Sequence, residues 1–142
     1  MKIILAADHG GYELKEQIKL YLTGKGYNID DVGCFSTESV DYPKIVNKAI
    51  PKILASKHNA GIFVCGTGIG VSIMANRHKG IRAACVHSEP YAQLCRSHND
   101  ANILCLGGRF INFDQAKPLI EIFLDTPFMG AHHTKRIKMF DD

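Results

Sequence analysis

The sequence has no long apolar run, no C-x-x-C pair, no cluster of basic residues beyond Lys135-Arg136, and no low-complexity segment or internal repeat. Each absence excludes something. The opening run Ile3-Ile4-Leu5-Ala6-Ala7 stops at Asp8, too short for a signal peptide or a membrane span, so it reads as a first strand and no membrane partner is expected. The five cysteines, Cys34, Cys65, Cys85, Cys95 and Cys105, are odd in number and lack metal-ligand spacing. That disfavours a disulfide framework and a zinc site, and points to a reducing, cytoplasmic home. With a formal charge of +3 and scattered lysines and arginines, nothing marks a nucleic-acid surface, and a small anionic ligand is the better match. A nicotinamide enzyme would open the helix after a strand with G-x-G-x-x-G; the first turn here, Asp8-His9-Gly10-Gly11, lacks that spacing.

What is present is a single-domain pattern. A chain of 142 residues with 46% hydrophobic and 22% charged content can bury one sizeable core. Short apolar runs at 3–7, 28–32, 61–64, 81–86 and 103–106 read as strands. Between them Leu14, Ile18 and Leu22 form one helical stripe, and Ile45, Ala49 and Ile53 another, in which Pro51 predicts a kink. Further helices are predicted over 69–76, 90–97 with Ser88 as N-cap, and 113–124, with a last basic helix in the tail 130–140. Strands alternating with helices through short connections predict an α/β fold, a three-layer α/β/α Rossmann-like sandwich with a five-stranded parallel sheet.

The most informative segment is Ile62-Phe63-Val64-Cys65-Gly66-Thr67-Gly68-Ile69-Gly70-Val71, where an apolar strand runs into a thiol and a glycine-rich turn. Glycines at alternate positions leave N–H groups unshielded, so the loop can wrap an oxyanion, and donors beside a thiol favour its thiolate. The bland alternative is a buried strand cysteine followed by an ordinary turn. In open parallel sheets ligands bind beyond the carboxyl ends of the strands where strand order reverses. If strands 1 and 3 flank that point, Asp8 and His9 face Cys65 and Thr67 across one crevice. Taken alone, Asp8-His9 also reads as a helix N-cap with a solvated histidine.

A second cluster, Ser97-His98-Asn99-Asp100-Ala101-Asn102, carries groups suited to sugar hydroxyls and to proton transfer, and equally reads as a polar turn. Arg109, after Gly107-Gly108, has the planar fork that clamps phosphate, and Arg136 and Lys135 invite the same reading; each also reads as a surface cation. His58 and His78 read as solvated and His87 as structural, while Cys85 and Cys105 read as small buried apolar residues.

Together Asp8-His9-Gly10-Gly11, Asp41-Tyr42-Pro43, Cys65-Gly66-Thr67-Gly68-Ile69-Gly70, Ser88-Glu89-Pro90-Tyr91 and His98-Asn99-Asp100 resemble the type B ribose-5-phosphate isomerases of the sugar-phosphate isomerase family, in order and over almost the whole chain. The resemblance implies an aldose-ketose isomerase without metal or other cofactor, interconverting ribose 5-phosphate and ribulose 5-phosphate. It also implies a homodimer or dimer of dimers whose sites are shared between subunits. Residue by residue, it makes Cys65 the base, His98 the ring-opening acid with help from Asp8, and Gly66, Thr67, Gly68, Ile69 and Gly70 the enediolate cradle. Asn99 then holds hydroxyls, Asp41 and Tyr42 belong to the substrate site, and His9, Arg109 and Arg136 hold phosphate. Where the family reads Gly-Arg-His before its last helix, this chain reads Ala131-His132-His133, so His132 stands for a phosphate arginine. Galactose 6-phosphate or allose 6-phosphate is the alternative substrate, and a noncatalytic sugar-phosphate binder the alternative class.

Overall fold

The computed structural model describes residues 1–142. In chain order the elements are β1 (Lys2–Ala7), α1 (Tyr12–Gly24), β2 (Asn28–Asp31), α2 (Tyr42–Leu54), β3 (Ala60–Cys65), α3 (Ile69–Ala75), β4 (Ala83–Cys85), α4 (Glu89–Ser97), β5 (Ile103–Gly107), α5 (Phe113–Asp125) and α6 (His132–Ile137). The strands form one parallel sheet of order β2-β1-β3-β5-β4. The chain steps outward from β1 to β2 and then crosses back to β3, so strand order reverses between β1 and β3, as the loop motifs require.

Alternation along each strand sorts the core into two layers. Ile3, Leu5, Ile62, Val64, Leu104 and Leu106 face α1, α4 and α5. Ile4, Ala6, Phe63, Cys65, Ile103 and Cys105 face α2 and α3. The three-layer α/β/α sandwich is therefore the observed architecture. No helix is long and apolar enough to cross a membrane.

Three local expectations gain detail. α2 runs unbroken through Pro51, which is exposed opposite the buried residues Val46, Ala49, Ile50 and Ile53; packing of that face overrides one missing backbone bond. The expected strand over 81–86 shrinks to Ala83–Cys85: before it Arg82 N–H donates to the Asn102 side chain (2.8 Å), after it Val86 N–H still donates to the Cys105 carbonyl (3.2 Å), and the Asn76 amide side chain bonds both ways with Ala83, covering this sheet edge. Ser88 sits at the N-cap of α4 but makes no side-chain cap bond.

Each helix returns the chain from the carboxyl edge of the sheet to its amino edge. α4 therefore ends at the amino edge, where Gly61 N–H donates to the Asn102 carbonyl (2.8 Å) just before β5. The tail follows it: Met129 N–H donates to the Ser97 carbonyl (3.0 Å), and Gly80 N–H to the Asp141 carboxylate (2.8 Å). The two edges are separated by a strand's length, roughly 15–20 Å.

Lys15 on α1 has no exposed surface and lies 2.6 Å from Asp31 at the end of β2, with Lys19 at 3.1 Å from the same oxygen. Burial pushes the Asp31 carboxyl up, but the Lys15 ammonium, the Gly33 N–H and Lys19 together outweigh it and hold it below the ordinary carboxylate value. The folded state thus binds this proton less readily than the unfolded chain. Stability from the ion pair is fully present above the unfolded carboxylate value and is lost as pH falls through the depressed one. Denaturant titrations of wild type and Asp31→Asn are expected to show their largest stability difference above about pH 5, narrowing toward about pH 3. A gap independent of pH would assign the stabilisation to packing.

Candidate active site

At the carboxyl edge three loops meet over the β1/β3 junction. Gly107 and Gly108 let them close: a Cβ on Gly107 would meet the Thr67 carbonyl at 2.8 Å, and one on Gly108 the Gly10 carbonyl at 2.8 Å. Backbone bonds lock the contact, Gly108 N–H to the Cys65 carbonyl (2.8 Å) and Arg109 N–H to the Gly66 carbonyl (3.1 Å). Gly11 is required by packing, since any Cβ there would overlap the Val64 carbonyl. Gly68 has φ +80°, a left-handed conformation that glycine adopts without strain.

Cys65 ends β3, nearly buried, and its Sγ accepts a hydrogen bond from Gly68 N–H at 3.1 Å. The amides of Gly66, Thr67, Gly70 and Val71 make no bond within the chain, so the loop that follows Cys65 carries four unpaired donors. Thr67 Oγ1 accepts from Ile69 N–H (3.1 Å), which leaves its own proton free to be donated outward. Burial pushes Cys34, Cys85 and Cys105 up and carries Cys95 to about 11, so they stay protonated and unreactive.

Asp8 is nearly buried, its Oδ1 accepting from Gly10 N–H (2.9 Å). Val40 N–H donates to His9 Nδ1 (3.2 Å), so the neutral ring carries its proton on Nε2. Tyr42 packs directly on the glycine loop, within 2.7 Å of where a Cβ of Gly70 would stand. The Arg109 side chain lies over Gly66. Ile69 is exposed, and Asp41 points to solvent with Lys44 at 3.7 Å, touching none of these groups.

The remaining predicted residues lie at the opposite edge. His98 caps α4 and stacks on His133 (centroids 4.2 Å apart, 18° between planes), which in turn meets His132 at 4.0 Å. Asn99 and Arg136 are exposed beside them. One chain therefore joins Cys65, Thr67, Asp8, His9, Tyr42 and Arg109, and separately joins His98, Asn99, His132 and Arg136. His9 and Arg109 stand at one edge and Arg136 at the other, so a phosphate held by all three needs two chains.

His133 is the residue the sequence reading passed over. Burial first, then His132, His98 and Arg136, push its ring below the ordinary imidazole value, so it packs as a neutral plate against His98. Its burial inside a short polar helix gave no periodic signal.

The chain matches the ribose/galactose isomerase family model over residues 3–140. Ribose-5-phosphate isomerase B of Escherichia coli (strain K12) is 39% identical over 138 residues, covering 96% of this chain and 92% of that protein. A 4-deoxy-4-sulfo-D-erythrose isomerase of Clostridium sp. (strain MSTE9) is 41% identical over 132 residues, covering 90% and 81%. The crystal structure of a ribose 5-phosphate isomerase from Thermotoga maritima superposes with a TM-score of 0.96 at 49% identity, covering 99% of this chain and 97% of that one.

Proposed function

This chain belongs to the ribose/galactose isomerase family, and from that premise we propose that it interconverts ribose 5-phosphate and ribulose 5-phosphate through a cis-enediolate. It is an aldose-ketose isomerase of the sugar-phosphate class. The observation that carries the finer reading is the Cys65 sulfur held by Gly68 N–H of a loop that carries unpaired amides. Proton abstraction next to a carbonyl needs a base and, within reach of it, donors for the oxygen that gains charge.

The steps follow from the residues. His98 protonates the ring oxygen while Asp8 accepts the anomeric hydroxyl proton, breaking the C1–O bond of the ring and freeing the aldehyde. Cys65 as thiolate takes the C2 proton, and the electron pair moves onto O1. The loop amides and the Thr67 hydroxyl stabilise the enediolate oxygens. Return of the proton to C1, with O2 giving its proton up and O1 gaining one, completes the ketose. No electron enters or leaves, so no redox cofactor is required. Because His98 and Cys65 stand at opposite edges of one chain, His98, Asn99, His132 and Arg136 are supplied by a second copy in a homodimer, or in each pair of a dimer of dimers.

The clostridial relative is named for a four-carbon sulfo sugar, so likeness at this level leaves the sugar's length open. A direct comparison of kcat/KM on ribose 5-phosphate, allose 6-phosphate and galactose 6-phosphate tests the assignment. At least about a tenfold preference for the five-carbon substrate is expected. A preference for a six-carbon one would replace it.

His132 offers a second check. A guanidinium stays charged at all working pH values, whereas an imidazole loses its charge near neutrality, and His133 beside it is held neutral. The His132→Arg variant is expected to have the lower KM for ribose 5-phosphate, with the wild-type/variant KM ratio rising about tenfold between about pH 6 and 8.5 and kcat nearly unchanged. Comparing the two proteins cancels the titration of the substrate's own phosphate, whose second pKa is ~6. Parallel KM profiles would place His132 away from the phosphate.

A further inference from the structure

Lys15 is the one charged side chain with no exposed surface, and the isomerisation steps make no use of it. A lysine ammonium taken fully from water is costly unless partners compensate it, and a buried ion pair rarely adds net stability over apolar residues of similar volume. Its retention therefore asks for a directional role. The partners supply one. Lys15 Nζ lies 2.6 Å from Asp31 Oδ2 and 2.8 Å from Glu16, with the rings of Tyr12 and Phe35 at 5.6 Å and 5.3 Å. The other Asp31 oxygen accepts from Gly33 N–H at 2.9 Å.

Beyond Asp31 the chain is clamped to the end of β1 from both sides. Ala7 N–H donates to the Gly33 carbonyl and Cys34 N–H donates to the Ala7 carbonyl, each at 2.6 Å. Ala7 is the residue before Asp8. One ammonium thus links the first turn of α1, the end of β2 and, through Gly33 and Cys34, the residue that precedes Asp8. A bond that fixes both oxygens of Asp31 transmits direction as well as charge.

We propose that Lys15 is a positioning residue for ring opening, acting through Asp31, Gly33 and Ala7 on Asp8. The proposal rests on the assignment of Asp8 to ring opening and of ribose 5-phosphate as substrate. Without the ammonium, Asp31 still has Lys19, which is 40% exposed at the solvent side, and the carboxylate turns toward it. Gly33 then loses its acceptor, and Asp8 loses its fixed direction while the glycine loop on β3 is untouched.

Two substrates separate this role from a general loss of structure. Ribose 5-phosphate must be opened before its C2 proton can be taken. Ribulose 5-phosphate has its C5 oxygen esterified and forms no furanose ring, so exchange of its C1 hydrogen with deuterated solvent needs Cys65 and the loop but no ring opening. Lys15→Met keeps the buried stem and removes the charge. It is expected to lower turnover of ribose 5-phosphate about tenfold or more, while exchange from ribulose 5-phosphate stays within about twofold of wild type. Lys19→Met is expected to change neither rate. If Lys15→Met does not fold, Asp31→Asn carries the test with the same expected split. Equal losses of both rates in a folded variant, or no loss of either, would overturn the proposal. Failure of wild type itself to act on either sugar would instead remove the substrate assignment.

Discussion

Replacing Cys65 with alanine is expected to lower turnover of ribose 5-phosphate by about three orders of magnitude or more, while the fold and ligand affinity stay within about threefold of wild type. The thiol is small and nearly buried, ending β3 against the α2/α3 layer, so losing one sulfur atom leaves a minor cavity. The unpaired amides of Gly66, Thr67, Gly70 and Val71 are backbone groups and survive the substitution. What disappears is the group assigned to take and return the carbon-bound proton. The remaining thiols do not substitute, since burial keeps Cys34, Cys85, Cys95 and Cys105 protonated. The checks are steady-state kinetics and binding of a nonreacting sugar phosphate. A variant within tenfold of wild-type turnover would mean that another group is the base.

Mixing two inactive variants is expected to restore activity. α4 carries His98 to the amino edge of the sheet, and β3 carries Cys65 to the carboxyl edge. A strand's length separates them, far beyond the reach of one substrate. A complete site then takes Cys65 from one copy and His98 from another. In a heterodimer of Cys65→Ala with His98→Ala, one site collects both lesions and the other collects none. Random reassortment of equal amounts makes half the dimers mixed, so about a quarter of wild-type activity returns. Confirmed subunit exchange with no recovery would place both residues of a working site in one chain, against their separation here.

The sequence showed the carboxyl-edge half of the site because each of its features is local. Cys65-Gly66-Thr67-Gly68 follows a strand within a few residues, and the β1/β3 reversal brings Asp8-His9 beside it. The separation of His98 from Cys65 was legible too, by a simple rule: a helix crossing between parallel strands ends at their amino edge. By the same rule a phosphate held by His9, Arg109 and Arg136 draws on two chains, as a site shared between subunits requires. Lys15 was not legible. On an amphipathic helix a lysine beside Leu14 reads as solvated, and its partner Asp31 lies on another element with nothing in the local pattern to name it. α2 continues through Pro51, which sits on its open side. Helix 130–140 shortened to His132–Ile137, and the ring buried within it, His133, is the neighbour of the one the motif comparison singled out.

The most direct test of the account follows the proton. Wild-type protein is incubated with ribose 5-phosphate in deuterated water until aldose and ketose reach equilibrium over many turnovers, and the sugars are examined by NMR. A thiol exchanges its hydrogen rapidly with water, so a Cys65-mediated transfer predicts deuterium at C2 of the aldose and at a single C1 position of the ketose, accumulating with turnover and absent with Cys65→Ala. Equilibrated sugars that keep their original hydrogen throughout would show a direct shift between carbons and contradict a thiolate base at Cys65.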